Sequence, residues 1–209
     1  LNDDRTQFAI ELDQQHAPDS WWEYNNAAIQ TLDRVYRVAT GVDLGAHANV
    51  ELFEPLGMDA TFSHDASGNT LTYADVLSSC RDLARFGYLY LRGGVWAGGV
   101  EVVPHDWVEA SLTASTPLND AYGYLWWLNN DGHYVRPSTP LREEGDGLLI
   151  PEAPPGAFTA RGLKAQLVAV EPSTEIVFTR IVDVPINDLI FSTPAEGELW
   201  AQIMAAVVE

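Results

Sequence analysis

Residues 157–184 read AFTARGLKAQLVAVEPSTEIVFTRIVDV. Three runs rich in valine, isoleucine, phenylalanine and threonine are separated by a Gly-Leu-Lys step and by Pro172-Ser173-Thr174. Runs of this length and composition, bounded by turn residues, predict three consecutive antiparallel strands, the last joined by the PST turn. Working outward, 122-YGYLWWLNNDGHYV-135 predicts two more strands around an Asn-Asp-Gly turn, a hairpin signal. A Pro/Gly/Glu-rich loop fills 137–157 between them.

Upstream of about residue 120 the apolar period changes from two to that of a helix. Phe8, Ile10 and Leu12 mark a helix over 5–15 that Asp3 or Asp4 can cap. HAPDS breaks it. Over 25–40, Ala28, Leu32, Val35, Tyr36 and Ala39 follow the spacing of one buried face, and Gly41 is a suitable stop. A helix over about 43–53 ends at FEPLGMDAT, where Pro55 and Gly57 force a turn, and 61-TFSHDASGNT-70 reads as polar loop. In 79-SCRDLARFGYLYLRGG-94 the stripe Leu83, Phe86, Gly87, Leu89, Tyr90 and Leu91 predicts a helix capped by Ser78 or Ser79 and ended by Gly93-Gly94. VVPHDWVEASL adds a short helix with Pro104 at its first turn. The tail, 193-TPAEGELWAQIMAAVVE-209, predicts a helix with Leu199, Ile203, Ala206 and Val207 on one face. Helices segregated from strands mean an α+β fold, with a mostly helical region over 1–118 and an antiparallel sheet portion with a closing helix over 119–209.

The 209 residues are 46% hydrophobic and 20% charged, enough to build a substantial core. No apolar run approaches the roughly 18 residues of a membrane span. The opening LNDDRTQ has neither a basic nor an apolar leader region, so no signal peptide is expected there, and the missing initial Met suggests a processed or trimmed chain. Thirty acidic against eleven basic side chains give a net charge of −19, which argues against nucleic acid as a partner. A solubilising surface is the plainer reading of that charge. Cys80 is the single cysteine, so no internal disulfide can form, and its helical apolar neighbours predict a buried structural thiol. His16, His47, His64, His105 and His133 show no metal-ligand spacing, DASGNT departs from a calcium loop, and no phosphate loop or G-x-S-x-G elbow exists. No metal and no cofactor is expected.

What remains is 20-SWWEYNNAAIQTLDRVYRVATG-41, with Tyr24-Asn25-Asn26 at the start of a helix. On spacing alone, Asn25 or Asn26 capping the helix accounts for the triplet. Trp21, Trp22, Trp126 and Trp127 could line a cleft, but adjacent strand residues point opposite ways, and core or rim packing is the plainer expectation. Tyr122 and Tyr124 share one strand face on the same reading.

Several motifs in order carry a resemblance. WEYNNAAIQTLDRVYRVATGVDL is similar to a Tyr-x-Asn loop and its helix. ELFEPLGMDAT resembles a Phe-x-Pro-Leu-Gly-Met turn. SSCRDLARFGYLYLRGGVWAGGVEVVPHDWV resembles an Asp-Leu-Ala-Arg-Phe-Gly helix with a Gly-rich stretch and Trp. YGYLWW is similar to a Tyr-Gly-x-x-Trp-Trp strand. TARGLKAQLVAVEPS resembles the last active-site strand and its return, with Gly162 and Gln166 where G-x-x-G-Q is common. Together they span about residues 20 to 180 and resemble the serine β-lactamase-like family of class C β-lactamases, penicillin-binding-protein-like esterases and 6-aminohexanoate-oligomer hydrolases. The resemblance implies a β-lactamase/transpeptidase-like α+β fold in one partial catalytic domain; it points to a periplasmic or secreted location, while the sequence itself leaves the compartment open, the cytoplasm included.

It also implies roles. In the family a Ser of Ser-x-x-Lys forms an acyl-enzyme, and the Lys and the Tyr of Tyr-x-Asn exchange its proton. Tyr24 would be the acid/base and Asn26 the polar clamp. The strand Phe158–Gly162 would edge the site, with Thr159, Ala160, Arg161 and Gly162 as the substrate-binding stretch and one backbone N–H completing the oxyanion hole. The sequence departs from the family in two places. Lys164 is the only lysine and Arg161 stands three residues before it, so Ser-x-x-Lys is not within these 209 residues. Only 23 residues precede Tyr24, so the nucleophile, its lysine and the opening strands are expected upstream of Leu1 or on a partner chain. The usual Lys-Thr-Gly or His-Thr-Gly is replaced by Thr159-Ala160-Arg161-Gly162, which fits esterase or amide-hydrolase relatives better than a β-lactamase. Two readings follow: the C-terminal portion of a serine hydrolase acting on a small-molecule ester or amide, β-lactams included, or a non-catalytic relative serving as a binding or scaffold domain.

Overall fold

The computed structural model describes residues 3–137, 141–182 and 193–207, with backbone alone at Lys164 and at residues 193–195. The chain divides into two compact units, Leu1–Asp82 and Leu83–Glu209. The change of apolar period near residue 118 therefore falls inside the second unit.

In the first unit, α1 (Arg5–Ile10), α2 (Asn26–Thr40) and α3 (Leu44–Ala48) are followed by a π-helical turn, Asn49–Phe53, and by α4 (Glu54–Leu56). Strands β1 (Thr61–Phe62) and β2 (Val76–Leu77) pair antiparallel. Three helix ends form as their residues dictate. The Asp4 carboxylate accepts from Gln7 N, Asp43 accepts from Ala46 N, and Gly41 closes α2 at φ 74°. Pro55 does not end the helix: it sits near the start of α4, where its missing N–H costs nothing, and Gly57 at φ 63° makes the stop. The stretch 61–70 is not all loop, because β1 opens it and His64 bridges to Thr70.

The helices of this unit bury faces the apolar pattern does not predict. In α1, Thr6 and Ala9 are buried while Phe8, Ile10 and the following Leu12 are exposed, and the helix stops at Ile10 rather than 15. In α2, Gln30 and Asp33 are buried at 1% exposure, whereas Leu32 and Val35 stand 42% and 60% exposed and Ala28 and Ala39 are exposed too. The reason is a hydrogen-bonded interior. Gln30 Nε2 donates to Thr6 Oγ1 at 2.8 Å and to the Thr70 carbonyl at 2.9 Å. Asp33 accepts from Thr6 Oγ1 and from Thr70 N, both at 3.2 Å, and Arg37 reaches Asp33 at 3.5 Å and Asp43 at 2.9 Å. Buried polar groups are tolerable when every partner is supplied, and here two helices and the 70–72 segment supply them.

The second unit takes in most of α5 (Cys80–Leu91), then β3 (Val95–Trp96), β4 (Val100–Glu101), α6 (His105–Ser111), β5 (Trp127–Leu128), β6 (Gly132–Val135), β7 (Glu144–Gly147), β8 (Phe158–Gly162), β9 (Gln166–Glu171), β10 (Ile176–Arg180) and α7 (Thr193–Ala205). Its main sheet is antiparallel in the order β10-β9-β8-β5. The three expected consecutive strands form and pair as neighbours, Phe158 opposite Val170 and Val170 opposite Val177. β9 is buried at every residue after Gln166, as a central strand covered on both faces must be.

Strand alternation divides the residues between two faces. Phe158, Val168, Val170 and Val177 join Phe86, Tyr90 and Trp126 in one apolar cluster. Trp126 stacks on Phe86 with ring centroids 5.8 Å apart and meets Phe158 edge-on at 5.1 Å. Gly87 of α5 is required by proximity: a Cβ there would lie 2.8 Å from Val177 Cγ1 and 3.0 Å from Val168 Cγ1. On the other face Phe178 meets Trp200 of α7 edge-on at 4.7 Å, and Trp200 is fully buried.

The expected hairpin over 122–135 does not form. β5 pairs with β8 and β6 pairs with β7. Asn129 explains the divergence, because its amide donates to the carbonyls of Ile150, Ala153 and Pro154 and accepts from Ile150 N at 2.8 Å, which ties the end of β5 to 150–154 instead. The loop 137–157 accordingly contains β7. Tyr122 and Tyr124 do not share a strand face: Leu125 turns the chain at φ 66°, and Tyr124 is exposed beside Trp107 at 5.4 Å. Cys80 is exposed rather than buried, since it opens α5 behind Ser79, whose Oγ accepts from Asp82 N as the cap. Among the described side chains of α7 the buried residues are Glu196, Gly197 and Trp200, while Ala206 and Val207 lie past the helix and are exposed. Residues 138–140 of the expected loop, 183–184 of the third strand and 208–209 of the tail lie outside the described residues.

The β9–β10 turn is held by a carboxylate. Glu171 is buried and accepts from Ser173 N at 2.9 Å, from Thr174 N at 2.6 Å and from the Thr174 hydroxyl. Burial alone would raise its pKa, but these donors outweigh it and hold the group below the usual glutamate range. A depressed folded-state pKa contributes stability that is full above the unfolded value, roughly 4.3, and is lost as pH falls below it. Glu171→Gln is expected to lower stability at neutral pH by about 1.5–3 kcal/mol, the range for charged hydrogen bonds. It should also flatten the fall in thermal midpoint between about pH 5 and pH 3. Melts across that range check both; a variant whose midpoint falls as steeply as the parent's would remove Glu171 from the account.

Candidate functional site

The first unit carries the Tyr-x-Asn loop. Asn25, at φ −136° and ψ 104°, is the N-cap of α2, and its side chain accepts from Ala27 N at 2.9 Å and from Ala28 N at 3.2 Å. Asn26 is the first helical residue and is exposed. The two asparagines thus divide the tasks that spacing leaves open between them: Asn25 takes the cap, and the Asn26 amide stays at the surface. Tyr24 is half-buried, and burial pushes its phenol above the ordinary tyrosine value of about 10. Trp21 is exposed and stacked on His16 at 4.9 Å, and Trp22 is half-buried.

The second unit carries β8. The partner β5 meets it only at Phe158 and Thr159, so Ala160, Arg161 and Gly162 have a strand neighbour on the β9 side alone. That leaves a stretch of β8 edge whose backbone groups are not used by β5. Ala160 packs with the Phe158 cluster. Arg161 goes to the face of α7, where its Nε donates to Glu196 Oε2 at 3.0 Å and to Thr159 Oγ1 at 3.1 Å. Its guanidinium carbon lies 5.4 Å from the Trp127 ring centroid. Burial lowers the Arg161 pKa and the Glu196 charge opposes that drop. Gly162 ends the strand, where a Cβ would lie 2.9 Å from the Cβ of Gln166. Gln166 in turn fixes the start of β9 by pairing with both the N–H and the carbonyl of Val182 at 2.8 Å.

Trp126 and Trp127 are both buried, the first in the aromatic cluster and the second beside Arg161, so packing is their role in this chain. The sequence offered no sign of the Arg161–Glu196 pair, because 35 residues of chain separate two otherwise ordinary charges. A cleft of about 810 Å³ in the second unit has Tyr90, Val108, Leu112 and Phe158 in its walls, with Arg92 and the His105–Glu109 pair beside them. None of Tyr24, Asn26, Thr159, Ala160, Arg161 and Gly162 lines it. Among the described residues no cluster of three histidine, cysteine or acidic side chains could hold a metal, and no helix is long and apolar enough to cross a membrane.

The second unit thus carries an antiparallel sheet with its closing helix, and the first carries the Tyr-x-Asn loop at the start of α2. The family model described as Beta-lactamase matches residues 2–185, and the chain belongs to that family. Three of the solved structures that match it illustrate the shared fold. One, from Bacillus anthracis and provisionally assigned as a 6-aminohexanoate-dimer hydrolase, superposes with a TM-score of 0.72 at 22% identity and covers 98% of this chain. A provisionally assigned β-lactamase from Bacteroides dorei DSM 17855 gives 0.65 at 15% identity over 97% of the chain. A β-lactamase from Mycobacterium bovis gives 0.63 at 17% identity over 92%. The chain spans 50%, 64% and 65% of the length of these three structures.

Proposed function

We propose that this chain is the portion of a serine hydrolase that holds the Tyr-x-Asn loop and the last active-site strand, with the nucleophilic Ser and its Lys supplied from outside these 209 residues. The substrate is a small ester or amide, β-lactams included. The observation that carries the reading is the division between the two asparagines. Because Asn25 makes the cap, Asn26 is exposed beside Tyr24 and available to a substrate or a lysine.

The chemistry follows from what each group can do. The serine oxygen attacks the carbonyl and its proton passes to the Lys–Tyr24 pair. The ester C–O or amide C–N bond then breaks, and the leaving group takes that proton. Water next attacks the acyl-serine, releases the carboxylic acid and restores the serine hydroxyl. Tyr24 can accept a proton near neutral pH only if a cation counters the burial that raises its pKa, and the lysine of Ser-x-x-Lys is the group the family places there. One backbone N–H on the open edge of β8 at Ala160–Gly162 would meet the developing oxyanion.

The test is to treat the complete gene product with a fluorophosphonate probe, which labels only an activated serine. Labelling at a Ser-x-x-Lys serine, blocked by a competing ester, is expected. A complete product that encodes no such motif and takes no label would leave the binding or scaffold reading in its place.

A further inference from the structure

α2 turns its polar side inward and its apolar side out. Ala28, Leu32, Val35, Val38 and Ala39 form one stripe at helical spacing, and all five are exposed, Val38 at 77%. The stripe runs about 16 Å along the helix axis. It holds no carboxylate, since the one acidic residue of α2, Asp33, lies on the buried side. The helix cannot roll to hide it. Gln30 and Asp33 are hydrogen-bonded to Thr6 and to the Thr70 backbone, and Arg37 reaches Asp33 and Asp43. Turning α2 about its axis would strand those groups without partners. An apolar stripe of this length, on a helix fixed in place, marks a docking face.

The proposed site chooses the occupant. Tyr24 and Asn26 stand at the head of α2, and the stripe begins two residues further on at Ala28. The lysine that exchanges a proton with Tyr24 has to come within hydrogen-bond reach of it. In Ser-x-x-Lys the two residues are three apart, which puts them on one face of a helix. A helix held with its lysine at Tyr24 lies against the start of α2, with the stripe beside it. The matching solved structures are all longer than this chain, so proteins of this fold carry further chain to fill the place. A second copy suits the stripe less well, because each copy brings a net charge of −19 and the two repel.

We propose that the Leu32–Val35–Val38 stripe seats the helix that carries Ser-x-x-Lys, and that this apolar contact sets the lysine beside Tyr24. This rests on the proposed acyl-enzyme reading and names the partner of that same site. Leu32, Val35 and Val38 are positioning residues: they act on the reaction only through the helix they hold.

The experiment uses the complete gene product with p-benzoylphenylalanine in place of Val38. Irradiation is expected to cross-link it to the helix containing Ser-x-x-Lys, read by peptide mass spectrometry. A cross-link to a second copy, a cross-link to a peptide of these 209 residues, or none at all overturns the assignment. If that variant does not fold, photo-leucine incorporated for leucine repeats the test at Leu32 without added bulk, with the same outcomes. The positioning role has its own readout. Val35→Ala is expected to slow fluorophosphonate labelling on the order of tenfold by loosening the lysine. A lysine further from Tyr24 lowers the phenol's pKa less, so the pH midpoint of labelling should move up by about half a unit or more. Val35→Ile should restore both. A slower rate with an unmoved midpoint would make Val35 a stability residue only and count against the role. A labelled serine without the expected cross-link sinks this inference and leaves the hydrolase reading standing. A complete product with no Ser-x-x-Lys and no label sinks both.

Discussion

Replacing Tyr24 by phenylalanine in the complete gene product is expected to lower kcat for a neutral ester by about 10²–10⁴-fold, the range over which positioned acid–base groups act. The change removes one oxygen and keeps the ring, so the packing of the half-buried side chain survives. KM should move little, because the phenol is asked to transfer a proton and not to anchor the substrate. Steady-state kinetics beside a thermal melt separate the outcomes. A large drop in kcat with an unmoved midpoint supports the acid/base role. A drop of less than about threefold would assign proton transfer to another group, given the size such groups normally contribute. A melt that falls together with the rate would make Tyr24 a packing residue and return the triplet to the plain reading of a capped helix.

The second large effect concerns Trp200. It is fully buried, lies edge-on to Phe178 at 4.7 Å and sits one helical turn beyond Glu196, the partner of Arg161. Trp200→Ala removes a fully buried indole and its contact with Phe178, so a loss of about 3–5 kcal/mol is expected. For a chain of this size that corresponds to a fall in thermal midpoint on the order of 10 °C. Urea titration of parent and variant measures it. A loss below about 1 kcal/mol would mean that the helix contributes little to the second unit, since surface substitutions typically stay within that bound.

The sequence was legible where one period dominates and one partner is adjacent. The runs 158–162, 166–171 and 176–180 are short stretches rich in β-branched and aromatic residues joined by short turns, so their pairing follows from local rules. The caps at Asp4, Ser79 and Gly41 were legible for the same reason, each acting within four residues of chain. The reading failed where a distant side chain outbids a local pattern. Asn129 takes three carbonyls from 150–154 and dissolves the Asn-Asp-Gly hairpin. Gln30 and Asp33 find Thr6 and Thr70 across the first unit and turn α2 polar face inward, which no hydrophobic stripe can announce. At the candidate site Tyr24-x-Asn26 and Thr159–Gly162 were legible only through the ordered motifs of the family resemblance. That Arg161 is spoken for by a carboxylate 35 residues away was not.

The inward polar face of α2 also bears on how the first unit responds to temperature. Heat-capacity change on unfolding grows with newly wetted apolar area and shrinks with newly wetted polar area. A helix that already shows Leu32, Val35 and Ala39 to water, and conceals Gln30 and Asp33, adds little of the first and some of the second. That unit's stability curve should therefore be broad and shallow, with directional hydrogen bonds setting its enthalpy and little of the curvature that a greasy interface imposes.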